Sequence, residues 1–336
     1  MLTGENNLHL LAQPKNIVIT THHKPDGDAL GSSLGLYHWL KANGHQVEVI
    51  LSSDFPDFLD WMPGREDVII FPNETERAEQ LLAQADIIFC LDYSALSRTN
   101  ILEPILRTAP GQKWMIDHHL DPEDFATLRY WDANAAATAQ LVYSFITDVC
   151  RDATAITAEV ATCLYAGIMT DTGSFRFRST TAAVHLIISK LIEAGARNWE
   201  IHEQIYNSST ENRLKFLGYC LLNCLEVIPA YNTAVFSVTK EDLEKFQVTT
   251  GDTEGLVNYA LSVKGIRLAA LFIDRTELIK LSLRSTGEIP CNEICKKHFN
   301  GGGHLNASGG SSTESLSETV NKFKSILPTY KEILTT

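Results

Sequence analysis

The chain has 336 residues, of which 44% are hydrophobic and 21% charged, enough for about two domains at roughly 150 residues each and ordinary for a globular protein. With 28 Lys+Arg against 41 Asp+Glu the net charge is −13, which speaks against a long nucleic acid gripped by a basic stripe. No run of about 18 apolar residues offers a membrane span, residues 1–7 lack the basic and apolar pattern of a signal peptide, and the seven cysteines are scattered, so a reducing cytoplasm is expected.

Asn16–Thr20 reads as a buried strand and Ala29–Asn43 as a helix closed by Gly44. Gln46–Leu51, Val68–Phe71, Asp86–Leu91 and Lys113–Ile116 read as further strands, with helices over Glu76–Gln84 and Ala136–Val149. This alternation predicts an α/β domain built on a mostly parallel, doubly wound sheet. Functional residues in such a sheet lie just beyond the carboxyl ends of the strands. Thr157–Thr170, Ala182–Ala194 and Asn198–Glu226 read as helices joining it to a smaller α/β domain. Pro229 stops the last helix, so the expected domains are residues 1–229 and 230–336. In the second, Thr233–Thr239, Arg267–Asp274 and Leu278–Arg284 read as strands of a mixed sheet, with helices near Glu241–Phe246, Asn292–His298 and Glu314–Ile326. Residues 233–336 carry 12 charges of each sign, so the acidic excess falls wholly on residues 1–232. Such an acidic domain can still handle anionic substrates if its carboxylates hold divalent cations.

The first strand runs directly into Thr21-His22-His23-Lys24-Pro25-Asp26-Gly27-Asp28. His22, Asp26 and Asp28 form an H-x-x-x-D-x-D pattern, and mixed imidazole and carboxylate donors suit Mn, Fe, Zn or Co. Asp28 as a helix N-cap is the plainer alternative. Asp92 ends the strand Ile87–Leu91, and Asp117-His118-His119 ends the strand Lys113–Ile116. Asp171, followed by Thr172-Gly173, interrupts an apolar helix and would point a carboxylate out of its end. Asp26, Asp28, Asp92 and Asp171 supply four negative charges, the balance for two divalent cations. A water between cations ~3.5–4 Å apart loses a proton readily and becomes a nucleophile for phosphoryl transfer. In the second domain, consecutive Gly301, Gly302 and Gly303 let backbone amides approach an anion, and His304 can donate to a phosphate. Arg284-Ser285 ends a strand and offers a guanidinium fork suited to phosphate. Cys220/Cys224 and Cys291/Cys295 lack the C-x-x-C spacing of a structural zinc site and read as small buried residues, as Tyr37, Trp39, Trp61 and Trp131 read as core or interface. Asn306–Gly310 reads as a continuation of the loop after His304.

H-x-x-x-D-x-D, Asp92, Asp117-His118-His119 and Asp171-Thr172-Gly173, in that order, resemble the DHH phosphoesterase superfamily. Arg284-Ser285 and Gly301-Gly302-Gly303-His304 resemble the C-terminal domain of its nucleotide-acting branch, so the likeness runs from about residue 15 to residue 327. The resemblance implies one metal site of His22, Asp26 and Asp92. It implies a second of Asp28, Asp92, His118 and Asp171, with Asp92 shared and manganese the usual ion. His119 would act on the leaving or transferred phosphate, and Arg284, Ser285, Gly301, Gly302, Gly303 and His304 would bind substrate. His23 lies one place off the ligand position. Processive single-strand exonucleases are longer, membrane-bound cyclic-dinucleotide hydrolases carry spans, and family II pyrophosphatases lack the Gly-Gly-Gly-His loop. The chain is most similar to the compact nanoRNase and 3′-phosphoadenosine 5′-phosphate phosphatase type, also called exopolyphosphatase-related. The implied substrates are short RNA, linear dinucleotides and, in several members, phosphoadenosine phosphate, with no duplex and no membrane as partner. A homodimer is compatible with the sequence. A cyclic-dinucleotide phosphodiesterase or an exopolyphosphatase-like hydrolase is the enzymatic alternative. A nucleotide sensor without turnover is the non-enzymatic one, against which the full set of four aspartates and both histidines speaks.

Overall fold

The computed structural model describes residues 2–4 and 8–336. Met1, Glu5, Asn6 and Asn7, part of the stretch read above for a leader, lie outside the described residues. The chain divides into two compact units, Met1–Ser208 and Ser209–Thr336. Among the described residues no helix is long and apolar enough to cross a membrane.

The first unit contains, in order, β1 (Leu2–Gly4), β2 (Asn16–Thr20), α1 (Gly27–Ala42), β3 (Gln46–Leu51), β4 (Ile69–Ile70), α2 (Thr75–Gln84), β5 (Ile87–Leu91), α3 (Glu103–Thr108), β6 (Gln112–Asp117), β7 (Leu128–Trp131), α4 (Thr138–Ser144), α5 (Ala158–Asp171), α6 (Ala182–Glu193) and α7 (Asn198–Tyr206). Its strands form one sheet in the order β1-β7-β6-β5-β2-β3-β4. Every pairing is parallel except β1 with β7, at the edge. The apolar runs that predicted these strands are continuous because both faces are covered. Successive residues of β5 show it: Ile87, Phe89 and Leu91 enter one core with α1, α4 and α5, while Ile88 and Cys90 enter the other with α2 and α3.

Helix α1 is buried over most of its surface and meets α5 main chain to main chain at Gly31 and Gly167. A Cβ on Gly31 would stand 2.5 Å from the Cys163 carbonyl oxygen, and one on Gly167 would stand 2.7 Å from the Ala139 Cβ and 3.0 Å from Asp28 Oδ1. Glycine at both positions sets the distance between the two helices.

The predicted helix over Ala136–Val149 begins later, at Thr138, and its last turn widens into a π-helical segment, Phe145–Val149. The single helix predicted over Asn198–Glu226 is broken. Helix α7 ends at Tyr206, Thr210 caps α8 (Glu211–Tyr219) by accepting from the Arg213 amide, and a π turn over Cys220–Cys224 leads into strand β8 (Leu225–Ile228). The boundary between the units therefore lies at Ser208/Ser209 rather than at residue 229. The physical reason is burial: Phe216 and Cys220 pack with Ala234, Phe236 and Leu256 of the second unit.

The second unit continues with β9 (Thr233–Val238), α9 (Lys240–Lys245), α10 (Leu256–Leu261), β10 (Leu268–Asp274), β11 (Ile279–Ser285), α11 (Cys291–His298), β12 (Gly302–Gly303), β13 (Ala307–Ser312), α12 (Leu316–Ile326) and α13 (Lys331–Thr335). Its sheet is mixed, in the order β12-β13-β11-β10-β9-β8, with only β9 and β10 parallel. The segment expected to continue a loop after His304 is strand β13, paired along its length with β11.

Candidate metal centre

Four segments at the carboxyl ends of β2, β5 and β6 and at the end of α5 bring the predicted side chains of the first unit together. After β2, Asp26 takes the N-cap of α1, its Oδ1 accepting from the amides of Asp28 and Ala29, both at 3.1 Å. Capping thus falls to Asp26, and Asp28, the second residue of the helix, is 1% exposed and faces the interior. Its two carboxylate oxygens accept from the first amides of α4, Thr138 N to Oδ2 at 2.6 Å and Ala139 N to Oδ1 at 2.8 Å. Asp92 follows β5 in the left-handed region at φ 63°, a conformation that aspartate adopts more readily than most residues. Its amide donates to the Ile116 carbonyl at 3.1 Å, and the Thr138 hydroxyl donates to its Oδ1 at 2.8 Å.

Two histidines face these carboxylates. A carbonyl can only accept, so His22 Nδ1 donates to His23 O at 2.9 Å and His118 Nδ1 donates to Ala135 O at 3.1 Å. Each ring is thereby turned with Nε2 toward the acids. His22 Nε2 lies 3.9 Å from Asp26 Oδ1 and 3.5 Å from Asp92 Oδ2. His118 Nε2 lies 3.8 Å from Asp28 Oδ2, 3.6 Å from Asp92 Oδ1 and 3.4 Å from Asp171 Oδ2. Asp92 therefore offers one oxygen to each group. Two ligands each about 2.1 Å from a common cation stand roughly 3–3.5 Å apart, close to these spacings. His22 with Asp26 and Asp92, and Asp28 with Asp92 and His118, are groups that could hold a metal ion. Asp171 ends α5 beside the second, and the chain leaves it through Gly173, Ser174 and Phe175, all at positive φ.

The charge state of the metal-free cluster fits that donor set. Burial disfavours charge on His22, but Asp26 and Asp92 outweigh it and raise its pKa to about 10. Burial pushes the Asp28 carboxyl well up, reinforced by the charges of Asp92, Asp171 and Asp26. Burial acts against Asp92 too, yet His22, His119 and His118 hold it ionised, well below the usual carboxylate range. Several acids thus crowd a buried volume, an arrangement that divalent cations would neutralise.

His119 is held differently. Its Nδ1 bonds Asp117 Oδ1 at 2.8 Å and lies 3.7 Å from Asp92 Oδ1. Its carbonyl accepts from Trp131 Nε1 at 2.7 Å. Asp117 is fully buried, and its Oδ2 has no hydrogen-bond partner among the described residues. His23 turns away, with Nδ1 3.3 Å from Ser52 Oγ.

In the second unit, Gly301–His304 is the first arm and turn of a hairpin. Gly302 and Gly303 pair with Gly309 and Ser308, and the His304 amide donates to Ala307 O at 2.8 Å. A Cβ on Gly301 would collide with the Gly309 carbonyl, so strand packing alone already demands glycine there. Arg284 sits opposite Ala307 across β11 and β13. Ser285 Oγ donates to Ile289 O at 2.8 Å and accepts from Asn306 Nδ2 at 2.9 Å.

Residues 16–168 match the DHH family N-terminal domain, and residues 231–336 match the DHHA1 domain. The bifunctional oligoribonuclease and PAP phosphatase NrnA of Thermus thermophilus is 33% identical over 297 residues, which cover 87% of this chain and 83% of that protein. The chain belongs to the DHH family. A Bacillus subtilis relative of the same name is 27% identical and covers 88% of each chain. The crystal structure of an exopolyphosphatase-related protein from Bacteroides fragilis superposes with a TM-score of 0.92 at 42% identity, over 98% of this chain and 96% of that one. As a member of that family the chain is a phosphoesterase, and its buried His/Asp groups could hold metal ions. The supports that sequence reading passed over are Thr138, Ala139 and Ala135, which act through a hydroxyl and the main chain.

Proposed function

We propose that this enzyme hydrolyses short oligoribonucleotides and linear dinucleotides from one end, and 3′-phosphoadenosine 5′-phosphate, with manganese at two adjoining sites. The observation that carries the reading is Asp92, whose two oxygens face two separate His/Asp groups. His22 and Asp26 would complete one site, and Asp28, His118 and Asp171 the other. Imidazole with carboxylate favours manganese over calcium, which takes oxygen alone. Cations held there would supply positive charge to the reacting phosphate and make an attacking water more acidic.

The rest falls to the chain's own groups. His119, its Nδ1 held by Asp117, would address the leaving oxygen through Nε2 and donate a proton to it. Arg284, with Ser285, and His304, with the glycine turn Gly301, Gly302 and Gly303, would take a second phosphate of the substrate. All seven cysteines are thiols, as in a reducing cytoplasm, where we place the reaction. The acidic excess lies on residues 1–232, so few phosphates can be held at once and short chains are favoured. The test is turnover with manganese on phosphoadenosine phosphate, cyclic di-AMP, polyphosphate, and RNA from two to about 24 nucleotides at fixed salt. Efficient cleavage at about two to five nucleotides with a steep decline beyond is expected. Rates that hold or rise with length would overturn the short-substrate reading.

A further inference from the structure

Thr138 opens α4 between Asp92, common to both groups, and Asp28 of the second, and it is fully buried. Its amide donates to Asp28 Oδ2 at 2.6 Å and its hydroxyl to Asp92 Oδ1 at 2.8 Å. Among the described residues, Asp26, Asp28 and Asp117 near Asp92 are carboxylates with no proton to give when ionised, and the other possible donors beside it are imidazoles: His22 at Oδ2, His118 and His119 at Oδ1. His22 and His118 can serve a cation only through Nε2 lone pairs, and a lone pair so used donates nothing to a carboxylate. His119 Nδ1 is engaged by Asp117. The Thr138 hydroxyl is thus the donor to Asp92 that survives when the site is loaded.

We propose that Thr138 is a positioning residue that fixes the rotation of the Asp92 carboxylate, so that one oxygen faces each metal group. This rests on the dinuclear reading above. Without the hydroxyl the carboxylate is free to turn about its last side-chain bond, and both groups lose their shared ligand together. The backbone amides to Asp28 remain in any Thr138 variant, so the Asp28 contact is retained.

The test is manganese titration of the full-length, metal-free protein, followed by calorimetry and by the electron paramagnetic resonance of unbound Mn(II), for wild type, Thr138→Val and Thr138→Ser. Loss of a group that orients a ligand typically weakens metal binding about 10–100-fold. That loss is expected at both sites in Thr138→Val, with recovery to within about threefold of wild type in Thr138→Ser. Thermal unfolding in chelator reports on the fold. If valine perturbs it, Thr138→Ala, which fits the same space, replaces valine in the comparison. Wild-type affinity in the variant without a hydroxyl, or equal loss in the serine variant, overturns the proposal. Fewer than two manganese ions per wild-type chain would instead overturn the dinuclear reading, so the two failures are distinguishable.

Discussion

Replacing Asp92 with asparagine keeps the shape of the side chain and removes its charge. Asp92 lies 3.5 Å from His22 Nε2 through one oxygen and 3.6 Å from His118 Nε2 through the other, so the change is felt in both groups. If each oxygen contributes at least what a charged hydrogen bond does, ~1.5–3 kcal/mol, each ion should bind about 10–100-fold more weakly. The product of the two binding constants should then fall by roughly 10²–10⁴. His22→Ala is the internal control, because His22 adjoins one group alone and should weaken one ion and spare the other. Equilibrium dialysis with metal analysis separates the two stoichiometric steps. Two ions bound by Asp92→Asn with wild-type affinity, or a loss confined to one step, would refute the shared-ligand argument.

His304→Ala and Arg284→Ala should each reduce kcat/KM about 10–100-fold through a lost charge-assisted bond while both manganese ions stay bound; metal loss in either variant would show that the roles of the two units are misassigned. At pH 7 the metal-free protein keeps a proton on His22, whose pKa is about 10, and the cation needs that nitrogen bare. Manganese affinity at its group should therefore rise about tenfold per pH unit up to that value and then level off, with proton release seen as a buffer-dependent binding enthalpy; pH-independent affinity would contradict it. Manganese at about 100 times its Kd should add ~2.7 kcal/mol per site, a rise in Tm of roughly 5–11 °C for a domain of about 200 residues. Calcium should give less, and an equal rise with calcium would argue against imidazole ligation.

The strand ends that carry the candidate ligands stand out in the sequence because each polar cluster interrupts a continuous apolar run, as Asp92 does after Ile87–Leu91. What supports them was not. Thr138 lies in Ala135-Ala136-Ala137-Thr138-Ala139, where nothing marks it as different from a helix-start residue, and its partners Asp28 and Asp92 are 110 and 46 positions away. Capping of α1 could not be divided between Asp26 and Asp28 by spacing, since both are good cap residues; the choice is made by α4, whose amides draw Asp28 inward. The expected helix over Asn198–Glu226 runs into the first two residues of β8 because Leu225-Glu226 continues the helical periodicity, and the strand state of Leu225–Ile228 comes from pairing with β9. Gly302, Gly303, Gly309 and Gly310 carry little intrinsic strand preference, so a hairpin specified by β11 pairing reads locally as loop.

Helix glycines are common targets for stabilisation, since alanine gains up to ~1 kcal/mol in helix propensity. At Gly31 and Gly167 that route is closed, because the added carbon would drive α1 from α5 at Gly31 and would strike Ala139 of α4 and the Asp28 carboxylate at Gly167. Asp28 rides on one of these helices and Asp171 on the other, so the distance between two candidate ligands is held by main chain pressed on main chain. Such a spacer has no rotamers to exchange and yields little to heat or to neighbouring substitutions. Adaptation of this enzyme to temperature has more room elsewhere in the chain than between these two helices. A conservative-looking change between these helices should instead show itself as altered metal preference before it shows as lost stability.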